Sequence, residues 1–270
     1  LMRASLVSFG QGLYYCIGGY FAGIMSQKFG ITDVFVILIG GAALAVGVAA
    51  IVGQLLCRYR AIFFSMFSMA VSMILYGILV RSQGLGSTDG FNVAKPTILG
   101  WKPAGDQTLD FIMAVTIVIV FCVGYLVYRY TQALAGYSGE AVRENEIRVE
   151  YLGGSAFRII YSKYLVAAGL AGLGGGITAL TSGHVDPEMA YWTTSGEFVF
   201  IAVMGGMGNV IAPLSAAVLF ELLRTYAFAV APYTWQIILG GSLLVIIIFL
   251  PKGLWSLVEK IQSRLKGKST

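Results

Sequence analysis

Charge is scarce in this 270-residue chain: 11% of residues are Asp, Glu, Lys or Arg, against 57% hydrophobic. A soluble domain carries roughly 25% charged and about 45–50% apolar residues. So little charge cannot cover a surface in water, which excludes an ordinary soluble protein and leaves a bilayer as the solvent. Histidine is represented by His184 alone, and the three cysteines, Cys16, Cys57 and Cys122, are scattered through or beside apolar runs. That pattern excludes a disulfide framework and a Cys/His metal site. Carboxylates inside apolar runs are few, Glu197 and Glu221 among them, so nothing resembles a relay of Asp, Glu and His for protons. Nucleotide motifs are missing too. The tail Gly267-Lys268-Ser269-Thr270 ends like a phosphate loop, but Gln262 stands where the first glycine should be and no strand precedes it. No nucleophile–base pair is apparent, which places an intramembrane enzyme last among the function classes.

Long apolar runs are abundant, at 5–26, 32–56, 61–80, 109–128, 163–181 and 234–250, with a broken region at 197–226. A helical span needs ~20 apolar residues. The expected fold is therefore all-α: a polytopic transmembrane helical bundle of about six full spans plus a re-entrant or broken helix pair, in a single domain over 1–270. Placing the charged stretch 129–162 in the cytoplasm puts thirteen of the 18 Lys and Arg inside and five outside. That satisfies the positive-inside rule. It also makes 251–270 a basic cytoplasmic tail, with 81–108 and 182–196 as outer loops. Parity then requires 197–226 to enter and leave by one face, and some thirty residues at ~1.5 Å rise are too few for two spans. Gly205, Gly206 and Gly208 mark its break, with Thr194 and Glu197 at capping-box spacing as a helix start. Broken backbone at membrane depth borders a wet cavity or is buried in protein, and such breaks point to transport paths. A glycine-mediated helix contact fits the same residues.

Two polar groups interrupt the apolar helices. Ser65, Ser68 and Ser72 fall at i, i+3 and i+7 on one face, and Gln11 and Tyr14 lie early in the first run. A polar solute crossing a bilayer needs such uncharged hydrogen-bonding groups, so these residues with the glycine break are the candidate pathway. The alternative role is interhelical glue.

The stretch Glu140–Glu150 carries six charges in eleven residues, read as one charged helix over 140–152 with Glu144 and Arg148 as an i, i+4 pair. A headgroup-binding helix would have a broad apolar face and excess Lys or Arg. This one has mixed charge and a few apolar knobs, which suits a groove on a soluble partner. Arg143, Glu146, Ile147, Glu150 and Tyr151 are the candidate contacts, and Gly153 stops the helix.

Taken in order, several motifs resemble those of the ABC-importer permeases of the branched-chain amino-acid (LivM-type) family. They are Val7-Ser8-Phe9-Gly10-Gln11-Gly12, Gly18-Gly19-Tyr20, Gly86-Ser87-Thr88-Asp89-Gly90, Ala141-Val142-Arg143-Glu144-Asn145-Glu146-Ile147, Glu150-Tyr151-Leu152-Gly153, Met204-Gly205-Gly206-Met207-Gly208 and Phe249-Leu250-Pro251-Lys252-Gly253-Leu254. The resemblance runs over nearly the whole chain. It implies a non-catalytic pore subunit in a bacterial inner membrane that moves branched-chain amino acids or similar small polar solutes. It implies four kinds of partner: a homologous permease subunit in a heterodimer, two cytoplasmic ATPase subunits, a periplasmic substrate-binding protein and membrane lipid. No nucleic-acid partner is expected. ATP and Mg would sit on the ATPases, with no cofactor on this chain, and the charged helix would be the coupling element. The family commonly has His where Gln11 stands and one or more spans ahead of this point. A same-family permease for urea, amides or aromatic or carboxylic acids, and a stand-alone secondary transporter, remain as alternatives.

Overall fold

A computed structural model describes residues 1–97, 107–206, 209–249, 253 and 255. The chain divides into two compact units, Leu1–Gly196 and Glu197–Thr270.

The first unit is built around α1 (Gln11–Lys28), α2 (Val34–Leu56) and α7 (Ala156–Ser182), with α3 (Ala61–Arg81), α4 (Gln107–Gln132), α5 (Leu134–Glu144) and α6 (Glu146–Tyr151) around them. Glycine lets the central helices close up. A Cβ at Gly18 would sit 2.7 Å from the carbonyl carbon of Gly172, and one at Gly175 would sit 2.6 Å from that of Tyr15. Membrane helices associate through such small-residue contacts, since lipid offers no hydrophobic drive between them. Helix ends follow local rules. The Asp33 carboxylate accepts from the Phe35 and Val36 amides at the start of α2, and α7 ends at Gly183 with φ 68°.

Residues 5–10 are not helical, although the apolar run begins at residue 5. Ser65 Oγ donates to the Val7 carbonyl at 2.6 Å, and the Phe9 amide donates to Ser68 Oγ at 3.2 Å. These bonds from α3 hold the segment in place and delay α1 to Gln11.

The stretch 182–196, expected as an outer loop, packs partly into the unit, with Ser182, Glu188, Trp192 and Thr193 exposed. Gly183 turns the chain into β2 (His184–Val185), which pairs antiparallel with β1 (Phe91–Asn92). A 3-10 turn over Pro187–Ala190 follows. Asp186 caps it by accepting from the Met189 amide, and Pro187 occupies its first turn. Val185 and Ala190 are fully buried.

In the second unit, α8 (Trp192–Gly205), which starts in the first unit, continues into a break and then α9 (Ile211–Val230) and α10 (Trp235–Phe249). Met204, Ala216, Phe220, Leu239 and Leu243 form its core. The break expected at Gly205–Gly208 separates α8 from α9, although Gly208 lies outside the described residues. Its flanks are unequal: α8 has 14 residues and α9 has 20. α8 also starts two residues before Thr194, so Thr194 and Glu197 lie within the helix and form no capping box there. Thr194 Oγ1 instead donates to the Glu188 carbonyl at 3.0 Å.

Among the described residues five segments are long and apolar enough to cross a membrane: Val34–Leu56, Ala61–Arg81, Ile112–Gln132, Ala156–Ser182 and Ile211–Val230. α1, at 18 residues, carries Gln11, Gln27, Lys28 and four glycines and is stabilised by protein contacts. The fold is a helical membrane bundle.

Candidate functional site

The charged stretch forms two helices rather than one. Asn145 breaks it: with φ −162° and ψ 101° it ends α5, and its side-chain oxygen accepts from the Arg148 amide at 2.8 Å to cap α6. An Asn side chain competing for backbone donors favours a cap over a helix interior. Glu144 and Arg148 therefore lie on different helices.

Three contacts anchor this loop. Arg60, in the turn between α2 and α3, donates from Nη2 to Glu146 Oε1 at 2.7 Å and from Nε to both carboxylate oxygens at 3.1 Å. Such a forked pair fixes orientation as well as charge. The turn is tight: Ala61 holds φ 50°, a left-handed conformation uncommon outside glycine. Arg3 lies 3.7 Å from Glu140. Lys163 of α7 reaches across to α5, donating to the carbonyls of Ala135 at 2.7 Å and Gly136 at 3.2 Å.

Glu146 is thus half-buried by its Arg60 pair, and Val142 of α5 is buried. Ile147, Glu150 and Tyr151 of α6 are exposed, as is Arg143 at the end of α5. Ile147 is 64%, Tyr151 88% and Leu152 83% exposed, and Gly153 ends the helix with φ 84°. Of the five side chains expected to contact a partner, four are exposed and Glu146 is a tether.

The candidate pathway residues of the first unit, Gln11, Tyr14, Ser65, Ser68 and Ser72, meet where the irregular segment 5–10, the start of α1, the middle of α3 and the turn 187–190 come together. Ser72 lies halfway along the 21-residue α3, and its Oγ donates to the Ala190 carbonyl at 2.7 Å. Ser68 Oγ accepts from Phe9 and donates to the Ser65 carbonyl at 2.8 Å. The Gly12 amide, one of the unpaired donors at the α1 N-terminus, bonds to fully buried Ser195 Oγ at 2.8 Å. The contacts leave no room for side chains: a Cβ at Gly10 would meet the Ser68 carbonyl oxygen at 2.5 Å, and one at Gly12 would meet the Met189 oxygen at 3.0 Å. Gln11 donates from Nε2 to Ser8 Oγ at 3.4 Å, while its buried Oε1 has no hydrogen-bond partner. One turn on, Tyr14 and Tyr164 share a buried hydroxyl–hydroxyl bond of 2.7 Å.

The serine hydroxyls therefore join chain segments, while Gln11 Oε1 is, with Tyr20 Oη, one of the two buried side-chain polar atoms without a partner among the described residues. Gly205 and Gly206 belong to the second unit. Gly206 has φ 89°, and Gly253, with φ 80°, packs against it so closely that a Cβ on Gly253 would sit 2.6 Å from the Gly206 Cα. The unit also carries Arg224, 3.8 Å from Glu221 at i, i+3 spacing and 3.6 Å from Glu197, with its guanidinium 5.7 Å from the Trp235 ring centroid.

Arg60, Lys163, Tyr164 and Ser195 escape sequence reading, because each acts on a residue tens of positions or more away. The turn 187–190 had a legible signal in Asp186-Pro187, a cap followed by proline at the first turn. His184 pairs with Asn92 across the strands at 3.1 Å. Among the described residues no group of three or more His, Cys, Asp or Glu is placed to hold a metal ion.

Five apolar helices of spanning length among the described residues, with close glycine contacts between α1 and α7, define a polytopic α-helical membrane protein. The chain belongs to the family described as branched-chain amino acid transport system / permease component, which matches residues 1–248. It is similar to the high-affinity branched-chain amino acid transport system permease protein LivM of Escherichia coli (strain K12), with 25% identity over 286 residues that cover 98% of this chain and 67% of that protein. LivM of Salmonella typhimurium is 25% identical over 288 residues, with the same shares. No solved structure matches.

Proposed function

We propose that the chain is the permease subunit of an ATP-binding-cassette importer in a bacterial inner membrane, moving branched-chain amino acids or similar small polar solutes. Separate ATPase subunits dock on the α5–α6 loop, a homologous permease subunit completes the pore, and a periplasmic binding protein delivers the solute. The chain itself performs no catalysis and binds no cofactor.

The observation that carries this reading is the outward face of α6. A six-residue helix has no stability of its own, yet this one is held by a forked Arg60–Glu146 pair while presenting Ile147, Tyr151 and Leu152 to solvent. Apolar side chains on a tethered, mixed-charge helix suit a protein groove better than anionic lipid. The relatives' names support the solute class, and the uncharged polar groups around Gln11 are compatible with a solute that must be released again.

Topology follows from the positive-inside assignment. α9 is long enough to cross alone, and the α5–α6 loop and the basic tail, most of which lies outside the described residues, are assigned to the cytoplasmic face. The test is purification of the complex followed by transport assays. The chain should co-purify with ATPase subunits, and Ile147→Asp should abolish that association while leaving membrane insertion intact. Solute uptake by this chain alone in liposomes would exclude the proposal.

A further inference from the structure

Lys163 is buried, with 8% of its surface exposed. Its ammonium donates to two carbonyls in the first turn of α5 and lies 5.6 Å from the Tyr130 ring centroid on α4. Gly139 makes the room: a Cβ there would come 2.8 Å from Lys163 Nζ. The placement runs against the α5 dipole, which disfavours a cation near the helix N-terminus. Glu140, itself 3.7 Å from Arg3, supplies opposite charge one turn further along α5. A cation held there ties α5 to α7 specifically.

The next residue, Tyr164, points to the other side of α7. Its hydroxyl bonds to Tyr14 of α1 at 2.7 Å, and its ring stands edge-on to Tyr14 and to Phe64 of α3, at centroid distances of 5.7 and 5.9 Å. Gly53 of α2 closes the pocket, since a Cβ there would touch Tyr164 Cδ1 at 2.8 Å. Tyr14 is one turn from Gln11 and the irregular start of α1. Two adjacent residues of one helix therefore contact the charged loop through Lys163 and α1 through Tyr164.

We infer that Lys163 and Tyr164 are positioning residues for transport, carrying movement of the α5–α6 loop through α7 to the break at the start of α1. Close-packed interiors move between discrete arrangements and do not deform continuously. A displacement of α5 that keeps the Lys163 bonds must move α7, and Tyr164 then moves Tyr14 with it. This rests on the loop being the ATPase dock.

The test uses the full complex with its ATPases, in a chain bearing Cys122→Ala and a reporter Phe9→Cys beside the break. Maleimide labelling of residue 9 is measured with no nucleotide and after trapping with ATP and vanadate. With Lys163 present, trapping should change the labelling rate severalfold. Lys163→Met should flatten that response in complexes that still hold their ATPases, an outcome that mere loss of packing would not produce. The double variant Tyr14→Phe/Tyr164→Phe keeps both rings and leaves no orphaned hydroxyl, so it serves if Lys163→Met fails to assemble. It should flatten the response too. A full response in either assembled variant, or none with Lys163 and both tyrosines intact while ATPases are bound, overturns the inference alone. Absence of ATPase association in the parent chain overturns the docking reading and this inference together.

Discussion

Gly18→Ala tests the close contact on which the first unit depends. The new Cβ would sit 2.7 Å from the Gly172 carbonyl carbon and 2.8 Å from its Cα. Carbon atoms pack optimally at about 3.5–4.0 Å, so α1 and α7 would have to separate by roughly 1 Å. The opposing atoms are backbone, which no side-chain rotation can relieve. Overpacking of this kind costs about 1–3 kcal/mol, and a rigid backbone contact belongs at the upper end. Replacing a helical glycine with alanine also gains about 1 kcal/mol of propensity, leaving a net loss of about 2 kcal/mol. Gly77 of α3 is the control, because an added Cβ there meets nothing within 4 Å. Gly77→Ala should gain the propensity term alone, so the two variants should differ by the steric term, about 3 kcal/mol. Reversible unfolding in bicelles, titrated with SDS, measures both. Equal stabilities for the two variants would refute close α1–α7 packing through Gly18.

Arg60 and Glu146 should show a coupling energy of about 1 kcal/mol in a double-mutant cycle to alanine, because the pair is forked but about a third exposed; additive effects would mean that the tether does not form. Gly253→Ala should lower transport and stability together, since its φ is 80° and the Cβ would meet Gly206 and the Gly205 oxygen at 2.6–2.7 Å; stability equal to that of the parent protein would show the contact to be loose. Cysteines placed at Asp89 and Ala190 should differ sharply with an impermeant thiol reagent added outside: residue 89 is exposed and should react, whereas residue 190 is buried and should not. Rapid labelling at 190 would contradict the inward course of 183–191.

Membrane residence and helical class were legible in the sequence, because apolar run length and charge scarcity are sums over residues that no packing detail can reverse. The same holds for the Glu221–Arg224 pair, set by helical spacing, and for the outward Ile147 and Tyr151. Cap chemistry at Asn145 was present too, yet the charge pattern favoured one continuous helix. The late start of α1 was hidden, since Leu6, Val7 and Phe9 read as helix until the α3 serines claim the backbone around them. Ser65, Ser68 and Ser72 were correctly placed on one face, but periodicity does not say whether a hydroxyl meets solute or another segment.

Composition and periodicity thus determined the solvent, the helices and the charged loop, all local or additive properties of the chain. Tertiary structure settled where helices are interrupted, which hydroxyls are occupied, and that Lys163 joins α7 to α5 while Tyr164 joins it to α1. The physical reason is that each depends on hydrogen bonds or sub-ångström backbone clearances between residues far apart in sequence, about 60 positions for Ser68 and Phe9 and about 180 for Gly12 and Ser195. Local propensity carries no record of such a contact until the chain has closed the loop that makes it.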